Sequence, residues 1–271
     1  MGKIRADRLS IEYSRMIQVR LPYLKSVVFE YLHSQWILNR KNEPATYASV
    51  PDIALFPEVR AVLVDPSENV TQESIIDKLT KIVPVVAAKW MEARKTQYRT
   101  LARAALSGSE AANAPEPLDL ALVAFKCSRC SSYTTIDGSG RLHFPQVLHD
   151  TCLRESTGRP ITDAYERVVA APGTGYHSLP RAERLFNYSE TVGVDKRFVL
   201  RREVITACGM DPDTATIAEM DACEARLRCR LCATLARQEI HTWRTAVSGR
   251  WSCTRPNTEA YTSVSRTDPA W

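Results

Sequence analysis

The sequence predicts a mostly α-helical chain with a small β-hairpin element: an α-helical N-terminal half followed by a zinc-stabilised α+β C-terminal half. Three observations predict this fold class. Apolar residues recur at spacings of three and four through much of the first 106 residues, which is typical of helices that pack by one face. Residues 107–117, "SGSEAANAPEP", have the composition of a linker. All eight cysteines follow that segment.

Composition limits the class of protein. The chain has 271 residues, of which 44% are hydrophobic and 25% charged, as in ordinary globular proteins. No apolar run approaches the roughly 20 residues of a membrane-spanning helix, and the first residues lack the apolar core of a signal peptide. We therefore expect a cytoplasmic or nuclear protein without a membrane association. In such a reducing compartment the cysteines are expected to be thiols or metal ligands, not disulfides.

The helical region, 1–106, contains several predicted elements. Apolar spacing predicts a helix over 8–40, with a kink or a division into two helices at Pro22. The apolar segment 52–66 is either a short helix or a buried extended piece. Thr71 is the predicted N-cap of a further helix, because an acidic residue follows in the first turn. We expect Pro84 to end that helix and a second one to follow it.

The helix expected after Pro84 is rich in cations. It contains one acidic residue, Glu92, and five basic ones: Lys89, Arg94, Lys95, Arg99 and Arg103. These cations could form a binding face for an acidic partner, but a solvated helix face is the more common meaning of such a run, and we favour it.

The C-terminal half is expected to be a cysteine-rich, zinc-supported domain over 118–248. "IDGSG" is the predicted turn of its hairpin, because Asp-Gly tolerates positive φ. Gly209 is expected to end a helix, and Thr216 with Glu219 forms a capping-box pattern at the start of the next one. The tail, 249–271, has no useful periodicity and is predicted to be disordered.

One set of residues has the spacing of a closed zinc site. Cys127 and Cys130 form a CxxC pair, and His149 and Cys152 form a second compact pair after the predicted hairpin. Three thiolates and one imidazole suit zinc better than magnesium or calcium. His143 is the alternative imidazole, ranked below His149 because it lacks the paired spacing with Cys152. Buried thiols without a metal are the other interpretation.

A second compact pair, Cys229 and Cys232, is half of a zinc signature. Its remaining ligands stay open at this point. The candidates are His241, Cys253, Cys223 and Cys208, and the two CxxC pairs could also share one ion. We therefore expect one or two structural zinc ions.

No catalytic motif stands out in the chain. It has no Gly-rich phosphate loop, no GxSxG elbow and no HExxH. A closed four-ligand zinc site stabilises a fold and has no open position for a reacting water. We therefore expect a protein that is not an enzyme.

Several motifs resemble a known family. They are "LALVAFKCSRC", "FPQVLHDTC", "ITACGMDPDTATIAEM" and "CRLC" followed by "TWRTAV". Together they are similar to the uncharacterised F-box or F-box-like proteins of mushroom-forming fungi, over most of 118–247. The resemblance implies a zinc-supported module related to the substrate adaptors of ubiquitin ligases, with a Skp1-type adaptor or a ubiquitination substrate as partner. An F-box itself is not visible, and Gly249 occupies a position where the family pattern has a histidine.

Two functional hypotheses follow. The first is a non-enzymatic protein-interaction module stabilised by zinc. The second is a zinc-containing nucleic-acid-binding protein. The first 106 residues have 16 basic and 11 acidic side chains, whereas the remainder has 20 of each. A neutral zinc-bearing half makes nucleic acid the weaker hypothesis, because phosphate contact needs clustered cations.

Overall fold

The computed structural model describes residues 2–38, 48–67, 70–127, 141–149, 153, 163–170, 192–229, 240–248 and 264–267. The chain divides into two compact units. The first comprises Met1–Lys95 and Leu153–Ser189, and the second Thr96–Cys152 and Glu190–Trp271. The described residues are mostly helical and include a small antiparallel hairpin, which confirms the predicted mostly α-helical fold with a small β-hairpin element.

Helix α1 (Gly2–Leu38) buries one face in the first unit. Ile17 and Leu24 are fully buried on that face. The expected kink or division at Pro22 does not divide the element, which runs through the proline as one helix. Pro22 removes the bond to the carbonyl of Gln18, and both residues are exposed, so that carbonyl can bond to water.

The apolar segment that periodicity could not assign forms α2 (Val50–Ala54) and α3 (Pro57–Leu63). A capping box starts α2, because the Ser49 amide donates to Asp52 Oδ2 over 2.8 Å and the Ser49 hydroxyl accepts from the Asp52 amide. Helix α5 (Ala164–Ala170) packs on α2 through Tyr165, whose hydroxyl donates to the carbonyl of Ala54 over 2.7 Å.

Helix α4 (Gln72–Ala105) begins as predicted, with the Thr71 hydroxyl accepting from the Ser74 amide over 3.2 Å. The predicted break at Pro84 is wrong, since the helix continues through it. Because Pro84 has no N–H, the carbonyl of Thr80 loses its helical donor, and Thr80 is exposed. Val83 and Val86, on either side of the proline, are buried. Burial of this apolar stripe outweighs one lost hydrogen bond.

Residues 107–117 differ from the linker that their composition predicts. They contain a 3-10 turn at Glu110–Asn113, and another begins at Pro117. Ala111 and Pro117 are buried. Small apolar side chains can be buried at little entropic cost, so a composition typical of linkers is compatible with packed turns.

The described residues of the second unit form two three-stranded sheets. The first, in the order β2-β1-β3, contains β1 (Phe125–Cys127), β2 (Arg141–Leu142) and β3 (Val192–Val194). The turn predicted at "IDGSG" lies outside the described residues.

The second sheet, in the order β5-β4-β6, contains β4 (Arg226–Cys229), β5 (Ile240–His241) and β6 (Val264–Thr267). Strand β6 corrects the prediction of a disordered tail over these four residues, because they pair with all of β4. The rest of 249–271 lies outside the described residues.

Among its described residues, the second unit also contains the short helices α6 (Phe198–Ala207), α7 (Ile217–Ala222) and α8 (Trp243–Ser248). Gly209 follows the end of α6 with φ +81°, a conformation that favours glycine. The capping box predicted at Thr216 and Glu219 is present at the start of α7. These local signals were confirmed because they depend on residues close in sequence.

A buried ion pair holds α6 against the first sheet. The Arg201 side chain, 1% exposed, donates to the Asp195 carboxylate over 2.6 Å. It also donates to the carbonyls of Asp195 and Leu122, over 2.9 and 3.3 Å. The Asp195 amide in turn donates to the carbonyl of Ala124. The guanidinium therefore joins α6, the residue after β3 and the segment before β1.

We predict that Asp195→Ala lowers the free energy of unfolding by about 3–5 kcal/mol, because it leaves a buried guanidinium without its carboxylate. Denaturant titration followed by circular dichroism measures the effect. Asp77→Ala is the control, since it removes an exposed pair with Lys81 and should cost less than about 1 kcal/mol. Equal effects of the two substitutions would contradict the assigned importance of the buried pair.

Candidate metal sites

Cys127 is the described cysteine of the first predicted site. It ends β1, pairs with Val192 on β3, and its side chain is 2% exposed. Its thiol is not in a disulfide. Burial suits both interpretations made from the sequence, because a closed zinc site and an apolar thiol are each shielded from water.

The other residues of this site are described incompletely. Cys130 and Cys152 lie outside the described residues, and for His149 the backbone is described, at the end of the 3-10 turn Gln146–His149. That turn follows directly after β2, which pairs with β1. The zinc assignment to Cys127, Cys130, His149 and Cys152 therefore remains a prediction.

His143, the alternative imidazole, has a separate place in the structure. Its Nδ1 lies 2.7 Å from the carbonyl oxygen of Val123, and a carbonyl only accepts, so Nδ1 carries the proton. β2 runs antiparallel to β1, which takes the chain from Arg141 to His143 away from Cys127. This direction favours a structural role for His143.

The surroundings of His143 keep it neutral. The side chain is 7% exposed, and its ring centroid lies 5.5 Å from that of Trp243 on α8. Burial, together with the nearby guanidinium groups of Arg244 and Arg201, lowers the pKa of His143 to about 4, whereas the hydrogen bond to Val123 and the charge of Asp221 oppose this shift. Sequence spacing had no signal for this cluster, because its members are distant in the chain.

Asp221 connects this cluster to α7. Its carboxylate accepts from the Trp243 indole N–H over 3.0 Å and from two Arg244 nitrogens, over 2.7 and 2.6 Å. The Arg244 guanidinium also lies over the Trp243 ring, 4.9 Å from its centroid. One exposed carboxylate thus fixes the orientation of α8, which positions Trp243 beside His143.

The second predicted site falls on the second sheet. Cys229 ends β4, and His241 is half-buried on β5, opposite Leu227. Cys232 and Cys253 lie outside the described residues. The other two candidates, Cys208 and Cys223, lie near each other, with the Cys223 sulfur 3.9 Å from the Cys208 carbonyl oxygen.

In the part of the chain that the structure describes, no group of three or more His, Cys, Asp or Glu side chains is placed to hold a metal ion. The predicted ligands that could complete such groups fall outside that part. The donor chemistry of both sets, thiolates with one imidazole, fits zinc.

The basic residues of α4 have carboxylate and aromatic neighbours. Lys89 pairs with Glu58, and Arg99 makes a two-nitrogen contact with Glu116, 2.7 Å for the shorter bond. The Arg94 guanidinium lies 5.8 Å from the centroid of the Trp90 ring. The carboxylates of Glu58 and Glu116 offset the charge of Lys89 and Arg99, so these two cations offer less charge to a phosphate backbone than the sequence alone implies.

Comparison of the chain with protein-family models, curated proteins and solved structures found no match. No helix among the described residues combines the length and the apolar character that crossing a membrane requires. The sites are therefore interpreted from their own residues.

We predict that His143 makes folding stability depend on pH. Its pKa rises from about 4 in the folded protein to its ordinary value of 6.5 on unfolding, so protons bind the unfolded state preferentially below pH 6.5. Its contribution is fully present above pH 6.5 and falls between pH 6.5 and 4, by on the order of 3 kcal/mol.

Denaturant titrations of the protein and of His143→Gln between pH 7.5 and 4 test this. The glutamine amide can still donate to Val123, and the variant should lose less stability on acidification than the parent. His33→Gln, which changes an exposed histidine of α1, should follow the parent. Parallel curves for parent and His143→Gln would show that His143 stays accessible to protons.

We further predict that zinc removal destabilises the second unit. Structural zinc contributes directly to folding, with apparent binding free energies of about 10–16 kcal/mol in zinc-finger peptides. A chelator should lower the melting temperature of the protein and release the metal, and Cys127→Ser and Cys130→Ser should melt at the chelated value. If the substitutions act only by removing thiol packing, the chelator will not change the melting temperature of the parent or of either variant.

Proposed function

We propose that this chain is a non-enzymatic protein-interaction module, stabilised by zinc and related to the F-box substrate adaptors of ubiquitin ligases. The observation that carries the proposal is an exposed apolar face on α1. Four large apolar side chains lie on this face, which we call the α1 face: Ile11, Val19, Phe29 and Ile37, between 47% and 71% exposed.

These four residues share one side of the helix. Ile11 and Phe29 are 18 residues apart, which is five turns at 3.6 residues per turn, so they lie in line. Val19 and Ile37 are also 18 residues apart and in line, and their line is rotated about 80° around the helix from that of Ile11 and Phe29. The buried residues Ile17 and Leu24 lie on the opposite side. Apolar residues on both sides of α1 indicate that one side packs in the unit and the other is available to a partner.

The α1 face has features of a protein-binding surface. Phe29 stacks on His33, with centroids 6.2 Å apart, so the largest side chain of the face is held in a defined orientation. Charged residues of both signs, Glu12, Arg15, Lys25 and Glu30, lie between the apolar positions along the helix. Exposed apolar side chains among charges of both signs suit a protein partner better than a polyanion.

The resemblance to F-box-like proteins selects the partner to test. A Skp1-type adaptor is the first candidate, and a ubiquitination substrate the second. The paired cations of α4 give no support to the nucleic-acid alternative.

We predict that Phe29→Glu weakens partner binding by at least tenfold, because it places a charge at the centre of an apolar contact. Binding of a purified Skp1-type protein is measured by calorimetry. Val199→Glu is the matched control, since Val199 is 70% exposed on α6 in the second unit and should have no effect.

Two outcomes separate the parts of the proposal. If the Skp1-type protein does not bind the parent chain, the adaptor role is wrong. Affinity capture compared between parent, Phe29→Glu and Val199→Glu then tests the module itself. A partner lost with Phe29→Glu alone supports it, whereas identical sets from all three proteins would show that the α1 face binds nothing.

A further inference from the structure

The four exposed apolar residues of the α1 face are spaced symmetrically along the helix. Ile11 and Ile37 lie thirteen residues before and after Leu24, and Val19 and Phe29 lie five residues before and after it. Leu24 itself is fully buried. At 3.6 residues per turn, the four side chains lie about 40° to one side or the other of the direction opposite Leu24. The α1 face therefore has the same spacing of apolar positions when it is followed from either end.

Such a face is complementary to itself when two helices run antiparallel. A two-fold axis at the height of Leu24 sets each residue of one copy level with the residue equally far from Leu24 on the other side in the second copy. Val19 then faces Phe29 of the second copy, and Ile11 faces Ile37. The two side chains of each pair lie on opposite sides of the line of contact, so they pack beside each other without collision.

The middle of the face permits close approach of two helices. Pro22 and Ser26 lie within about 20° of the direction opposite Leu24, and both are exposed. They are level with each other in the antiparallel arrangement. Both side chains are short, so the Val19–Phe29 contacts on either side can close.

The charges of the face also favour the antiparallel direction. Arg15 is exposed directly opposite the direction of Leu24 and becomes level with His33 of the second copy. Glu30 of that copy is three positions away, about 4.5 Å along the axis, which is within reach of an arginine side chain. Two-fold symmetry forms this pair twice. A parallel arrangement would instead set Arg15 beside Arg15, where like charges repel.

The length of the face limits the strength of the contact. From Ile11 to Ile37 the helix rises about 39 Å, and it is about 10 Å wide. The strip in contact is therefore about 400 Å² per copy, below the roughly 800 Å² per partner of stable complexes. The pair is expected to be weak and to form as the protein concentration rises.

We propose that the α1 face binds a second copy of this chain in an antiparallel pair, and that this pairing competes with the partner protein for the same side chains. The inference rests on the proposed function, because it assigns a means of regulation to the α1 face. In the absence of a partner, the second copy covers Phe29 and Val19. A partner that buries a larger area displaces it.

Sedimentation velocity of the full chain, at protein concentrations from about 1 to 100 µM, tests the pairing. We expect the mass to rise from monomer to dimer for the parent and for Val199→Glu, which alters an exposed residue of the second unit. Val19→Lys and Phe29→Glu should each stay monomeric, because the symmetric pair would contain the new charge twice. A parent that is monomeric at every concentration would overturn the proposal, as would a dimer that Phe29→Glu leaves intact.

Mixtures of charged variants test the antiparallel register. When Val19→Lys is mixed with Phe29→Glu, one contact joins a lysine to a glutamate and the other keeps the original valine and phenylalanine, so dimers should form. Ile11→Lys mixed with Phe29→Glu is the matched control. It introduces the same two charges, but position 11 faces position 37, so this mixture should stay monomeric. Dimers in the first mixture also show that both variants are folded, and equal behaviour of the two mixtures would overturn the register.

The measurements distinguish this inference from the function on which it rests. A monomeric parent whose partner binding is lost with Phe29→Glu refutes only the self-pairing. A parent that dimerises and does not bind the Skp1-type protein refutes the adaptor role and supports the pairing. Where both occur, excess Skp1-type protein should convert the dimer into a complex with one copy of each chain. A complex that retains the dimer would refute the competition.

Discussion

The buried guanidinium of Arg201 is the group on which the arrangement of the second unit depends. A charge in a low-dielectric interior needs an opposite charge and hydrogen-bond acceptors close by, and Asp195 with two backbone carbonyls provides them at the two terminal nitrogens of the guanidinium. Those partners come from the segment before β1 and the residue after β3. Helix α6, which carries Arg201, is therefore tied to the segment before β1 and to the residue after β3, and Cys127 lies at the end of β1, the central strand of the first sheet.

His143 is a second polar group that binds the segment before β1, and it connects α8 to that segment. His143 donates to Val123, one residue from the Leu122 carbonyl that Arg201 uses, and its ring packs against Trp243. Asp221 then holds Trp243 and Arg244 from α7. The segment before β1 is thus an acceptor for two buried donors from different elements. The two hydrogen bonds thus connect α6 and α8 to the same short segment of the chain.

The two units differ in what they offer to other molecules. In the second, the polar groups of Arg201, His143 and Asp221 are engaged within the unit. In the first, α1 has an apolar face directed to solvent, with Phe29 at 71% exposure. These exposed apolar side chains of α1 are the basis on which we propose that the first unit binds a partner protein.

The sequence by itself determined the helical class, the caps at Thr71 and Thr216, the end of α6 before Gly209 and the hairpin, because each depends on neighbours within a few residues. Its predictions of a helix break at Pro84, a linker over 107–117 and a disordered tail at 264–267 were wrong, because burial and strand pairing with distant residues decide the structure there. It also indicated which cysteines and histidines have zinc spacing. Only the tertiary structure placed His143 on Val123, paired the α4 cations and set His241 opposite Leu227, because register and burial join residues that no local spacing relates.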